Sequence, residues 1–254
     1  MQVVILAGGR GTRLAEETHA VPKPMVRIGP QPILWHIMSH YAAHGFDEFV
    51  VALGYRGYVI KEYFANLATH QADLRVDFSR GEIKVLADRS PNWRVTLVDT
   101  GLDTMTGGRL GRLRDHLRGR FMLTYGDGLS DVDVPALVRY HEARGLQATV
   151  TAVHPQPRFG SLEITEGRVN AFREKPKHSQ DRINGGFFVF EPDVLDLMTG
   201  DDCVLERDPL AHLAASGQLA AYEHDGYWQP MDTVRERDEL NMLWEAGNAP
   251  WGRG

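Results

Sequence analysis

The chain has 254 residues, which fits one large α/β domain or one domain with a small appendage, with a substantial buried core. Hydrophobic residues make up 43% and charged residues 24%, and the formal net charge is −6, which does not favour a nucleic-acid-binding surface. A single cysteine, Cys203, excludes an internal disulfide framework and suits a reducing cytoplasm. The first apolar run ends at Ala7 in glycines, too short for a signal peptide, and no stretch is long enough to span a bilayer. A soluble cytoplasmic protein with neither nucleic acid nor membrane as partner is expected.

The elements alternate from the start. Val3 to Ala7 reads as a buried strand, and residues 32–45 as a helix with Ile33, Leu34, Ile37, Met38 and Tyr41 on its apolar face. A second strand is expected over 49–53, and a second helix over 58–69 with Val59, Ile60, Tyr63, Phe64 and Leu67 inward. Strand, helix, strand, helix implies a parallel sheet with helices on both faces. Residues 74–78 and 83–86 flank Ser79-Arg80-Gly81 as a hairpin. Strands follow over 94–99, 121–125, 148–153 and 185–190, with helices over 107–117 and 135–145. A second hairpin is expected at 161–164 and 168–172, and a loosely held tail over 248–254 with Trp251 as its one anchor.

The chemistry concentrates at the first strand. Leu6-Ala7-Gly8-Gly9-Arg10-Gly11-Thr12-Arg13 leaves it directly, and Pro22-Lys23-Pro24 follows. Glycines let backbone N–H groups approach an anion closely, and Arg10, Arg13 and Lys23 supply compensating charge, so the segment reads as a polyphosphate cradle. A Walker loop would need Lys and Ser/Thr after Gly11, where Thr12-Arg13 stands. The dinucleotide fingerprint would need a third glycine where Leu14 stands.

Asp127, in Tyr125-Gly126-Asp127-Gly128, follows the strand over 121–125 and so falls where open α/β sheets bind ligands. One or two carboxylates, completed by phosphate oxygens and water, suit Mg²⁺. Asp232 is the candidate second carboxylate, although Asp232-Thr233 with Glu236 also reads as a helix N-cap with a capping box. Thr104-Met105-Thr106-Gly107-Gly108-Arg109, Glu174-Lys175-Pro176-Lys177 and Asn184-Gly185-Gly186 are further polar or glycine-rich exits from strands. His36, His40 and His44 recur every four residues, and packing is preferred to a metal face because no carboxylate or cysteine accompanies them.

The glycine-rich segment with Pro22-Lys23-Pro24, followed in order by Gly126-Asp127, Glu174-Lys175-Pro176 and Asp232, resembles the signature of the sugar-1-phosphate nucleotidyltransferases. Longer strings are similar to the cytidylyl branch of that family: residues 32–38, 57–64 and 105–110, and Trp228-Gln229-Pro230-Met231-Asp232-Thr233. The resemblance runs over essentially the whole chain, with local departures at the 77–88 hairpin and at Arg118-Gly119-Arg120. It implies a Rossmann-like, mostly parallel sheet of the GT-A-like nucleotidyltransferase type with small β-hairpin additions. It implies one domain over 1–254, with a nucleotide-binding half to about residue 130 and a sugar-phosphate half to about residue 247. It further implies CTP and glucose 1-phosphate as substrates, Mg²⁺ as cofactor and assembly into a homo-oligomer.

On that resemblance, the nucleotide contacts Leu6, Ala7, Gly8, Gly9, Arg10, Gly11, Thr12, Arg13, Lys23, Thr104, Gly108, Arg109, Gly126 and Asp127. Gly160, Glu174, Lys175, Asn184 and Gly185 hold the sugar phosphate, and Asp127 and Asp232 hold the metal. Arg13, Lys23, Asp127, Lys175 and Asp232 carry the reaction. The attacking phosphate oxygen is already ionised at neutral pH, so the work is positioning and charge neutralisation rather than proton abstraction. Cytosine presents acceptors at O2 and N3, which suits the donor-only Arg109, with Thr104 nearby. Two alternatives stand beside this: another NTP or hexose 1-phosphate, and a non-catalytic sensor of sugar nucleotides on the same fold.

Overall fold

Consecutive apolar residues without polar alternation require a strand to be covered on both faces. Val3-Val4-Ile5 and Phe49-Val50-Val51 are of this kind, and every one of these side chains is buried. In the computed structural model they lie at the centre of a seven-stranded sheet. The structure describes residues 1–14, 19, 21–155, 161–165, 168–173 and 181–252, with the backbone alone at 13, 161–165 and 171–173. The strands are β1 (Gln2–Leu6), β2 (Glu48–Leu53), β3 (Arg94–Asp99), β4 (Phe121–Tyr125), β5 (Ala148–Val153), β6 (Ile183–Phe190) and β7 (Leu219–His224). Their order is β7-β5-β6-β4-β1-β2-β3. Neighbours are parallel except at β6, which runs antiparallel to β5 and β4. The parallel sheet expected from the alternation is therefore observed except at β6, and the mostly parallel sheet that the family resemblance implies is present.

Alternate residues of each strand feed two cores. Val3, Ile5, Phe49, Val51, Met122 and Val189 pack with α1 (Ile33–Ala43), α2 (Gly57–Gln71), α4 (Val134–Arg144) and α6 (Val234–Glu245). Val4, Val50, Phe121, Leu123, Phe188 and Phe190 pack on the other face with α3 (Thr106–Gly111) and α5 (Asp208–Ala215). Register fixes the functional edge: Leu6 lies opposite both Ala52 and Tyr125, so the carboxyl ends of the central strands open onto one rim. The amino end of antiparallel β6 reaches the same rim.

The expected hairpins are present as Ala72–Asp77 with Glu82–Asp88, and Ser161–Thr165 with Arg168–Arg173. Three expectations are corrected. The helix expected over 107–117 ends at Gly111, and a separate turn covers Arg114–His116. Gly107, Gly108 and Gly111 weaken helix propagation, and at the first two close packing leaves no room for a Cβ. The C-terminal third, where the sequence yields no strand after 190, adds β7 and a short strand Trp228–Pro230. Residues 248–252 are not loose: Trp251, in the turn Pro250–Gly252, is 3% exposed and meets the rings of His36 and Tyr227. His36 and His40 are buried, each with its Nε2 on a backbone carbonyl, of Ile28 and Val132, which is the packing role preferred for them.

Candidate active site

At the carboxyl rim a cleft of about 1420 Å³ opens between the β1 and β4 exits, the α3 loop and the start of β6. Its floor is built from turns that need particular residues. Prolines on both sides of Lys23 direct the chain into a single turn, Lys23–Met25. Gly126 donates its N–H to Leu6 O at 3.0 Å. A Cβ there would sit 3.1 Å from both that oxygen and the Pro24 ring, so the glycine lets the β4 exit close onto the Lys23 turn.

Asp232 arrives by a different route. Trp228–Pro230 pairs antiparallel with Gly128–Ser130, and Met231 N–H donates to Asp127 O at 2.8 Å, placing the two carboxylates on adjacent backbones. Beyond them Thr233 caps α6 in a capping box with Glu236, whose carboxylate also accepts from Asp232 N–H at 2.7 Å. The capping-box reading of Asp232-Thr233 holds, and the same cap fixes the Asp232 backbone beside Asp127.

Lys23 Nζ donates to Asp127 Oδ2 at 2.6 Å and to Asp232 Oδ1 at 2.7 Å. Burial by itself pulls the ammonium's pKa down, but the two carboxylates outweigh it and hold the pKa above the ordinary lysine value. Two carboxylate oxygens that converge on one cationic centre are hard oxygen donors of the kind Mg²⁺ takes. Among the described residues no group of three or more His, Cys, Asp or Glu forms such a centre, so substrate oxygens and water would complete the coordination shell.

Of the sequence-predicted contacts, Leu6, Ala7, Gly8, Gly9, Gly11, Thr12, Lys23, Thr104, Arg109, Gly126, Asp127, Asn184, Gly185 and Asp232 line this one cleft. Arg10 and Gly108 are not among its lining residues. Arg10 reaches sideways to Asp103 at 2.7 Å, an ion pair exposed on both sides. Gly108 packs under the 200–203 loop, where a Cβ would come within 2.6 Å of Asp201 O. Gly160, Glu174 and Lys175 lie outside the described residues, as does the Arg13 side chain.

Arg109 is 5% exposed and holds more backbone than expected. Nη1 donates to Leu53 O, Thr100 Oγ1 and Gly101 O, and Nη2 to Gly8 O and Leu102 O, at 2.7–3.2 Å. Gly8 and Gly54 make this possible, since a Cβ at either would enter the guanidinium. With both terminal nitrogens engaged, reading a base edge requires Arg109 to exchange some of these acceptors. Sequence reasoning missed Tyr125, Trp228, Arg235 and Glu239 in the cleft wall. The aromatic pair at least carried a signal, each flanking a motif already singled out.

Residues 2–229 match the Nucleotidyl transferase family. The chain belongs to this family. The nucleotidyltransferase chain is 51% identical over 253 residues to glucose-1-phosphate cytidylyltransferase of Salmonella typhimurium, covering 99% of this chain and 98% of that one. It is 42% identical over 253 residues to a probable glucose-1-phosphate cytidylyltransferase of Bacillus subtilis, covering 99% of each. Among solved structures, HddC from Yersinia pseudotuberculosis matches with a TM-score of 0.71 at 22% identity, over 96% of this chain and 99% of that one, a likeness of fold.

Proposed function

We propose that this nucleotidyltransferase transfers the cytidylyl group of CTP to α-D-glucose 1-phosphate, giving CDP-glucose and pyrophosphate, with Mg²⁺ as its ion. The observation that carries the reading is the meeting of Lys23, Asp127 and Asp232 in a cleft lined by the glycine-rich loop. The 51% identity to a cytidylyltransferase over nearly the full length supports the choice of base and sugar.

In the reaction a sugar-phosphate oxygen attacks the α-phosphorus of CTP in line. A new P–O bond forms as the bond from the α-phosphorus to the bridging oxygen breaks, and pyrophosphate leaves with that electron pair. No proton need be removed from the nucleophile. The backbone of residues 6–9 and 11–12, with Arg13, cradles the nucleotide and its β- and γ-phosphates. Lys23, kept protonated by its carboxylate neighbours, bridges the α-phosphate and the incoming phosphate. Asp127 and Asp232 would hold the Mg²⁺, which when bound supplies charge neutralisation at the leaving group. Lys175 grips the sugar phosphate, while Glu174, Gly160, Asn184 and Gly185 shape the sugar pocket. Thr104 faces the base, and Arg109 reads it by exchanging some of its present acceptors.

The single domain over 1–254 works in the cytoplasm as a homo-oligomer. One surface supports association with a second copy: the ribbon Ala72–Asp77/Glu82–Asp88. Its register puts Leu74 opposite Val85 and Val76 opposite Ile83 on one face, with Arg75, Lys84, Asp77 and Glu82 on the other. Val76, Phe78, Ile83 and Val85 are 45–93% exposed, and an isolated two-stranded ribbon is marginal in water. The same face on a second copy is self-complementary, as a two-fold contact requires.

The deciding experiment follows pyrophosphate release with glucose 1-phosphate, Mg²⁺ and each of CTP, UTP, dTTP and GTP. CTP is expected to be used best. Preference for UTP over CTP would end the cytidylyl reading, and no release with any nucleotide would end the enzymatic one.

A further inference from the structure

Glu206 precedes α5 and belongs to none of the motifs above, yet its carboxylate bonds two separate segments of the cleft wall and reaches a third through Tyr125. Its Oε2 accepts from Thr106 Oγ1 at 2.6 Å, at the start of α3. Its Oε1 accepts a short hydrogen bond from the Tyr125 hydroxyl, at the end of β4 and two residues before Asp127. Asn184 Nδ2 in turn donates to the Tyr125 oxygen at 3.3 Å, on β6. Thr106, Tyr125 and Asn184 all line the cleft.

The polarity of this chain of groups is fixed. Glu206 is an acceptor only, so the Tyr125 proton points at it and the phenolic oxygen faces Asn184 and the cleft as an acceptor. Burial and the Glu206 charge both push the Tyr125 pKa up, so the proton stays. Gly186 N–H donates to Asn184 Oδ1 at 2.8 Å, which turns the Asn184 amide nitrogen toward Tyr125. Gly186 has φ of +80°, and a Cβ there would lie 2.6 Å from the Tyr125 ring, so the backbone itself makes room for this ring position.

We propose that Glu206 is a positioning residue for the transfer reaction: through Tyr125 it sets Asn184 for the sugar, and through Thr106 it ties that pocket to the nucleotide-side loop. The inference rests on the substrates assigned above. Two charge-assisted hydrogen bonds to one carboxylate hold the two substrate sites in register. Removing the carboxylate frees the Tyr125 hydroxyl to rotate, so Asn184 loses its fixed acceptor.

Steady-state pyrophosphate release from CTP and glucose 1-phosphate tests this with Glu206→Ala, Glu206→Gln, Tyr125→Phe and the Glu206→Ala/Tyr125→Phe double variant. Glu206→Ala is expected to raise KM for glucose 1-phosphate about tenfold, with kcat changed less than about threefold. Glu206→Gln, whose amide oxygen still accepts from Tyr125, recovers most of that loss. Tyr125→Phe reproduces the effect on KM for glucose 1-phosphate, and adding Glu206→Ala to it changes that KM by less than about twofold, because on the sugar side both act through the one Tyr125–Glu206 hydrogen bond. An active wild type with Glu206→Ala KM values within about twofold of it overturns the inference alone. So does full additivity of the two substitutions. If Glu206→Ala does not fold, Tyr125→Phe, which removes a single oxygen, decides by the same criterion. A wild type that releases no pyrophosphate overturns both this inference and the substrate assignment.

Discussion

Lys23 reaches Asp232 at 2.7 Å across 209 positions of chain, and the same nitrogen reaches Asp127 across 104. Two acidic side chains held on adjacent backbones repel unless a cation stands between them, so the fold stores a counter-ion where polyphosphates must come. A divalent ion shared by the carboxylates would take over that neutralisation and release the ammonium toward substrate. Lys23→Met therefore has two expected consequences. Turnover falls by about 10²–10³-fold, the scale of losing one transition-state charge contact. Mg²⁺ alone also raises the melting temperature more in the variant than in the wild type, because the carboxylate pair is no longer satisfied. Activity assays and thermal melts with and without Mg²⁺ check both; equal Mg²⁺ shifts would argue against a shared site.

Arg109 and Gly8 form one structural unit. The guanidinium lies where a Gly8 Cβ would stand and bonds Gly8 O at 3.1 Å. Arg109→Lys keeps the charge but cannot span five acceptors, and about 2–3 kcal/mol of stability should go with the unpaired carbonyls. Gly8→Ala displaces the same group and is expected to cost a similar amount. Urea denaturation of the single and double variants gives the coupling: a double variant less destabilised than the summed singles, by about 1 kcal/mol or more, is expected. Additive effects would show that the contact carries no energy.

The sheet was legible because apolar strands alternate with helical faces as far as Phe190, and because glycine and proline mark the exits on which the site is built. Asp127 could be placed by its position after a buried strand, and Lys23 by its charge between prolines soon after the glycine-rich loop. Asp232 could not be placed by spacing alone, since the pairing of Trp228–Pro230 with Gly128–Ser130 that delivers it is short and lies between elements. The C-terminal elements were hidden for a related reason. Strand β7 is an edge strand with sequence Leu-Ala-Ala-Tyr-Glu-His, buried fully only at Ala220, and edge strands carry weak apolar alternation. Glu206 was invisible because its partners, Thr106 and Tyr125, come together only in the folded rim.

The exposed ribbon makes a separate prediction. Ile83 and Val85 are 69% and 55% exposed on the apolar face, so a charge at either costs the monomer little. If this face binds a second copy, Ile83→Asp together with Val85→Lys shifts the sedimentation coefficient to that of a smaller species while the circular dichroism spectrum stays unchanged. An unchanged sedimentation profile would exclude the ribbon as the contact.

Acid should destabilise the fold over a defined window. Burial lowers the pKa of His36, His40 and His141, that of His40 to about 4 from an ordinary 6.5. The unfolded chain therefore binds protons near pH 6.5 that the folded chain refuses until lower pH. Stability is complete above about pH 7 and falls as pH drops from 6.5 toward 4, where His40 protonates in the folded state as well. For His40 the shift corresponds to about 3 kcal/mol across that window. His40 Nε2 bonds Val132 O at 2.9 Å, so His40→Gln keeps a donor there while removing the titration. Urea midpoints measured from pH 7.5 to 4.5 should drop steeply for the wild type and less steeply for His40→Gln. Parallel slopes for the two proteins would mean that His40 does not contribute to the acid response.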